Sequence, residues 1–147
     1  QSGNVRDGSI NPRARYTFNE LPVTHEEYDI KITLPGHFAR HATISHLGDE
    51  FNGEPTGRMT YIFYAEIQAG DVTQDDVIDI MDAIEIQEHY GTDHREADIN
   101  YDGTVDKTDL QYIIDNYLVQ NPDVANPPAG KTEYNGKTLD DIVSELN

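Results

Sequence analysis

Oxygen-bearing side chains alternate through the run DINYDGTVDKTD, from Asp98 to Asp109. Asp98, Asn100, Asp102, Asp106 and Asp109 stand at positions one, three, five, nine and twelve, with Gly103 at six. That spacing suits a hard divalent cation. Calcium takes roughly six to eight oxygens at about 2.3–2.6 Å, and a loop that curls around the ion can supply them. Gly103 permits the sharp turn in the middle, and Thr104 after it offers its carbonyl. Asp109 closes the loop one methylene short of the usual glutamate, so the next helix must start nearer the ion. A solvated acidic turn would account for the aspartates, but not for glycine and spacing together.

A second copy lies upstream in DVTQDDVIDIMD. Asp71, Thr73, Asp75, Asp79 and Asp82 occupy the ligand positions, and Val77 the carbonyl position. Thr73 is a neutral, weaker ligand. Asp76 stands where glycine is preferred, and aspartate enters the left-handed region at modest cost. Two calcium ions are therefore expected, the one in the Asp98 loop held more tightly.

What must position these loops is also repeated. Ile80, Ala83, Ile84 and Gln87 fall at helical spacing after the first loop, and Leu110, Ile113, Ile114 and Tyr117 after the second. Each unit is a loop leading into one helix. The short approach Ala69-Gly70 leaves no room for an entering helix. Two such units, each too small to bury a face alone, are expected to pack through their stripes.

This tandem, opening on Gly70-Asp71-Val72 and continuing through D-I-N-x-D-G-x-V-D-x-x-D-L, resembles a dockerin domain over Ala69 to about Leu118. The resemblance implies a calcium-dependent module that plugs a secreted protein into a cohesin-type partner. Dockerin recognition residues lie at loop positions ten and eleven, which here are Ile80 and Met81, then Lys107 and Thr108. The hydrophobic first pair resembles type II dockerins. Core packing explains Ile80 and Met81 about as well, although flexible methionine suits adaptable interfaces.

Composition agrees with an extracellular calcium protein. The net charge is −18, from 28 acidic and 10 basic residues. Between Asp71 and Asp109, acids face only Arg95 and Lys107. Divalent ions would relieve that repulsion, so folding and metal binding should be coupled. Such acidity argues against nucleic acid or an anionic membrane as partner. There is no cysteine, which fits a secreted or surface protein of a Gram-positive bacterium and equally a cytosolic one. No apolar run approaches the roughly twenty residues that span a bilayer, so no membrane insertion is expected. No signal peptide opens the sequence, as in a processed chain or a segment of a longer one. A monomer is expected.

Residues 1–68 read differently. RYTFNEL, EYDIKITL, HATISHL and MTYIFYAEI alternate apolar with polar residues between Pro and Gly signals, as the strands of a small β-sandwich do. Residues 16–68 resemble the X-module that precedes many type II dockerins, and carboxypeptidase-regulatory-like, Ig-like β-modules, with the opening strands degenerate before Tyr16. The aromatics from Tyr61 to Tyr64 are candidates for an interface with the calcium module, and a plain sandwich core explains them about as well. Residues 121–147 read as an extended Pro/Asn/Gly linker, then a short helix capped by Thr138 and Asp141 with Leu139, Ile142, Val143 and Leu146 on one stripe. Too short to stand alone in water, that helix is expected to dock on its own chain.

The expected architecture is thus α+β. An N-terminal Ig-like β-module (1–68) packs on an all-α dockerin with two EF-hand-like loops (69–120), followed by a linker and short helix (121–147). No motif for an active site is present: no nucleophile elbow, no paired-histidine zinc helix, no P-loop. His41 and His46 have opposite strand parity, so with His37 they make a poor zinc site. The leading expectation is a non-catalytic, cohesin-binding docking module. The alternative is an intramolecular calcium clip on a larger extracellular protein, such as a surface protease or adhesin.

Overall fold

Reciprocal side-chain caps start the three helices among the described residues. The computed structural model describes residues 4–6, 15–17, 27–45, 50–51, 54–55 and 67–146, with side chains described for 27–43 and 67–146. Helix α1 spans Ile80–Glu88, α2 Lys107–Asp115 and α3 Leu139–Glu145. Asp79 with Asp82, Asp106 with Asp109, and Thr138 with Asp141 each form a capping box, satisfying N–H groups that the first turn leaves open. The first two boxes use the ninth and twelfth residues of the calcium-type loops. Cap and loop are one device.

The chain divides into two compact units. The first comprises residues 1–29 and 43–63. In it β1 (Asn4–Arg6) runs antiparallel to β2 (Arg15–Thr17), with Val5 opposite Tyr16. Strands β3 (Glu27–Ile32) and β4 (Arg40–Ser45) form a second pair, each divided between the units. β5 (Glu50–Phe51) and β6 (Glu54–Pro55) form a third, antiparallel. Every sheet among the described residues has two strands, so no packed sandwich is built from them. Strand β3 alternates exposed with half-buried positions. The expected strand residues 18–21, 46–47 and 59–66, with His46, Tyr61 and Tyr64, lie outside the described residues.

The second unit comprises residues 30–42 and 64–147. Its core sets Ile80, Ala83 and Ile86 of α1 against Leu110 and Ile113 of α2, with Val105, Ile99 and Phe38 filling the ends. On α1 the fully buried line is Ile80–Ala83–Ile86, while Ile84 and Gln87 of the expected stripe are only half-buried. A segment ahead of the repeat also belongs here. Phe38 is 1% exposed, its N–H bonds the Gln68 carbonyl, and Gly70 N–H bonds the Gly36 carbonyl. Gly36 must be glycine: φ is +72°, and a Cβ would lie 3.0 Å from Ile99 and 3.1 Å from the Glu96 carbonyl.

Part of the tail expected as linker is a hairpin. Strands β7 (Glu133–Tyr134) and β8 (Lys137–Thr138) close an antiparallel hairpin through Asn135 (φ 52°) and Gly136 (φ 77°). Positive φ at both central residues is the primed turn that matches strand twist, and Asn-Gly is its preferred sequence. The hairpin delivers α3 onto α1, where Ile142 is completely buried.

Candidate metal centre in two matched loops

The two loops share one hydrogen-bond frame. In the first, Asp71 Oδ1 accepts the Asp75 N–H (3.1 Å) and Oδ2 the Asp76 N–H (3.3 Å). In the second, Asp98 accepts the Asp102 N–H (3.1 Å) and Gly103 N–H (2.9 Å) in the same way. Position twelve reaches back to position three: Asp82 accepts the Thr73 N–H at 2.9 Å, and Asp109 the Asn100 N–H at 3.2 Å. Its second oxygen accepts the N-cap N–H, from Asp79 at 2.7 Å and from Asp106 at 2.8 Å.

Backbone conformation repeats too. Position four is left-handed in both loops (Gln74 φ 57°, Tyr101 φ 64°), and so is position six (Asp76 φ 72°, Gly103 φ 93°). The strain at Asp76 is offset by two contacts to Asn121, of which glycine could make only the backbone one. Its carboxylate accepts the Asn121 side-chain amide at 2.8 Å, and its carbonyl the Asn121 backbone N–H at 2.9 Å.

Burial and charge set the chemistry. Asp71, Asp79, Asp82, Asp98 and Asp109 are all at most 4% exposed. Burial, and then the neighbouring Asp82 carboxylate, push Asp71 up to about 7. Burial likewise raises Asp82 to about 6, with Asp75 adding repulsion. Asp109 is raised by burial, with Asp98 adding to it. The charges acting on these three groups are other carboxylates. Buried acids that repel one another are costly without a cation, and an all-oxygen donor set is the set that calcium prefers. The donors are not drawn to a common point: among the described residues no three His, Asp or Glu side chains converge as a metal-bound set would. Their oxygens are spent on the loop backbone instead. Donor chemistry, burial and repulsion fit calcium, and carboxylate convergence does not.

The four proposed contact residues separate. Ile80 is wholly buried, so it packs the core and presents nothing to a partner. Met81 is half-buried against that core, whereas Lys107 and Thr108 are exposed. His37 bonds the Pro35 carbonyl at 2.9 Å, and burial lowers its pKa. Sequence reading missed Asn121, which is 1% exposed and bridges Asp76 to the Ala39 carbonyl at 2.9 Å. An asparagine before Pro122 reads as linker, and only the fold shows what it ties together.

Residues 69–124 match the family model of the Dockerin type I domain. Over this stretch the chain is similar to a dockerin domain. The match takes in both loops, α1, α2 and Asn121, and ends before the hairpin and α3. The matched model is the type I one, and it does not extend over residues 1–68. A dockerin is a calcium-dependent, non-catalytic docking module that typically binds a cohesin, and dockerin proteins are typically extracellular. No curated protein and no solved structure matches the chain. Among the described residues, no helix is long and apolar enough to cross a membrane.

Proposed function

We propose that residues 69–120 dock a secreted or surface protein onto a cohesin-type partner, and that calcium switches the module into its binding form. The observation that carries this reading is the shared frame of the two loops, lying within the dockerin match. Asp71, Thr73, Asp75, Asp79, Asp82 and the Val77 carbonyl would hold one ion. Asp98, Asn100, Asp102, Asp106, Asp109 and the Thr104 carbonyl would hold the other. Bound calcium supplies positive charge that offsets the buried carboxylates. The Asp98 loop is the tighter site. It has glycine at position six and an amide at position three. In the other loop Asp79 commits its second oxygen to the Lys131 N–H at 2.8 Å.

Met81, Lys107 and Thr108 are the proposed partner contacts, with Ile80 supporting them from the core. The type II-like character and an X-module-like role for residues 1–68 belong to the same proposal, as does a Gram-positive source. The first rests on the Ile80-Met81 pair, the second on the strand-like residues before the repeat, and the third on the absence of cysteine. Calorimetric calcium titration of chelator-stripped protein, followed by titration with cohesin domains, tests this. Two unequal sites with a gain of helix, then calcium-dependent capture, are expected. Absence of calcium binding overturns the reading.

A specific observation favours a second reading. Ile80 shares one buried cluster with Ile142 of the tail, and its N–H bonds the Lys131 carbonyl at 3.2 Å. An intramolecular calcium-stabilised module would be built in this way. Its signature is calcium binding without capture by any cohesin.

A further inference from the structure

Equivalent positions on the two repeats have opposite surroundings. Loop position ten is Ile80 in one and Lys107 in the other, position eleven Met81 and Thr108, and three residues on Ile84 and Gln111. On α1 these three are fully buried, half-buried and half-buried, while on α2 all three are exposed. Their chemistry follows their burial: apolar where covered, polar where open. Helix α3 lies against α1, and its Leu139, Val143 and Leu146 pack on the same core around Ile142. A polar clamp fastens it, with Lys137 Nζ bonding Gln87 at 3.0 Å and Glu145 at 2.7 Å.

We infer that α3 is a built-in occupant of the first repeat's outer face, so that a protein partner docks in one orientation, on the second repeat around Thr108 and Gln111. This rests on the docking reading and narrows it: Lys107 and Thr108 stay as contacts, and Met81, on the occupied face, is withdrawn. Two repeats on one frame offer two near-equivalent faces, and the chain has filled one itself. The open face takes a polar partner surface. Because the chain carries −18, that partner is a cohesin-type domain with basic residues around its contact patch.

Absence of native cysteine makes the test direct. Single-cysteine variants of the 147-residue chain, Ile84→Cys and Gln111→Cys, are labelled with a maleimide in calcium. Gln111→Cys should react roughly tenfold faster or more, since reaction at Ile84→Cys waits on opening of the tail. Adding Ile142→Asp should bring the two rates together, while helix content confirms that the repeat stays folded. Equal rates without that change overturn the inference. Separately, a cohesin domain is offered to each labelled protein. A bulky adduct on Gln111→Cys should abolish capture, and capture that survives it overturns the assignment of the face. Failure of every cohesin to capture the unlabelled protein counts against the docking reading. The labelling rates would then still decide whether the tail covers α1.

Discussion

Ile78 and Val105 occupy the eighth position of their loops, and each exchanges two backbone hydrogen bonds with the chain leaving the other repeat's helix. Ile78 N–H bonds the Val119 carbonyl at 2.9 Å, and its carbonyl takes the Leu118 N–H at 2.7 Å. Val105 N–H bonds the Thr92 carbonyl at 2.7 Å, and its carbonyl takes the Gly91 N–H at 2.8 Å. Gly91 and Leu118 both have positive φ, so the crossing turns match as well. Each repeat completes the other's loop, and order in one is transmitted to the other.

Ligand substitutions should therefore act on the whole second unit, and unequally. Asp98→Ala takes the acceptor from the Gly103 N–H and leaves the Asp102 N–H only Asn100 Oδ1, at about 1–2 kcal/mol, and also removes a ligand of the tighter site. Asp71→Ala removes the same two bonds, but it also relieves the repulsion between Asp71 and Asp82. Thermal melts in calcium should show one transition for each variant, lower for Asp98→Ala. Equal or negligible shifts would sink the ranking.

The metal-free protein should lose stability as pH rises. Asp71 and Asp82 bind protons more tightly folded than unfolded, so the native state holds more protons between the ordinary carboxylate range and about 7. Stability then falls with pH across that window, and it is highest below it so far as these two groups are concerned. Calcium needs the carboxylates ionised, so in excess calcium the trend should reverse. Melting at pH 5 and pH 7.5, with chelator and with calcium, checks both signs. A chelated protein more stable at pH 7.5 would refute the assignment.

The loops and α1 and α2 were legible because local chemistry specifies them. Asp79, Asp82, Asp106 and Asp109 act as ligand candidates and helix caps at once, so spacing alone marked the helix starts. Thr138 and Asp141 marked α3 in the same way. The side of α1 facing the core was less legible: Ile84 and Ile86 are both apolar, and only the position of α3 and α2 decides which is sealed. Asn135-Gly136 did carry a hairpin signal, but its flanks, Glu-Tyr and Lys-Thr, lack apolar alternation. The place of residues 34–41 could not be read at all. Phe38 is buried by packing into the core of the repeat, whose residues lie more than thirty positions further along the chain.

The hairpin turn should control the tail selectively. Gly136→Val puts a β-branched residue at φ 77°, which costs about 1–2 kcal/mol. No heavy atom stands within 4 Å of a Cβ there, so any effect comes from the backbone and not from a clash. Hydrogen exchange should quicken in α3 and β8 while α2 and the Asp98 loop keep their protection. Uniform loss of protection would mean that the tail is part of the same cooperative unit as the repeats.

Replacing Asp76 by the glycine usually found at position six should not stabilise this chain. Glycine would relieve the left-handed backbone, yet it removes the carboxylate that accepts the Asn121 amide at 2.8 Å. Asn121 is fully buried and also holds the Ala39 carbonyl, while its Oδ1 accepts the Asp123 N–H at 3.0 Å. Asp123 in turn pairs with Arg40 at 3.1 Å and accepts the His41 N–H at 3.0 Å. The first loop is thereby tied to residues 39–41. Asp76→Gly should be neutral to about 1 kcal/mol destabilising, since a lost bond offsets relieved strain. Asn121→Ala should cost about 1–3 kcal/mol, because it strands the Ala39 carbonyl. Exchange of the His41 amide should quicken in both variants, more in Asn121→Ala. A clear rise in melting temperature for Asp76→Gly, with His41 unaffected, would show that the tie carries no stability.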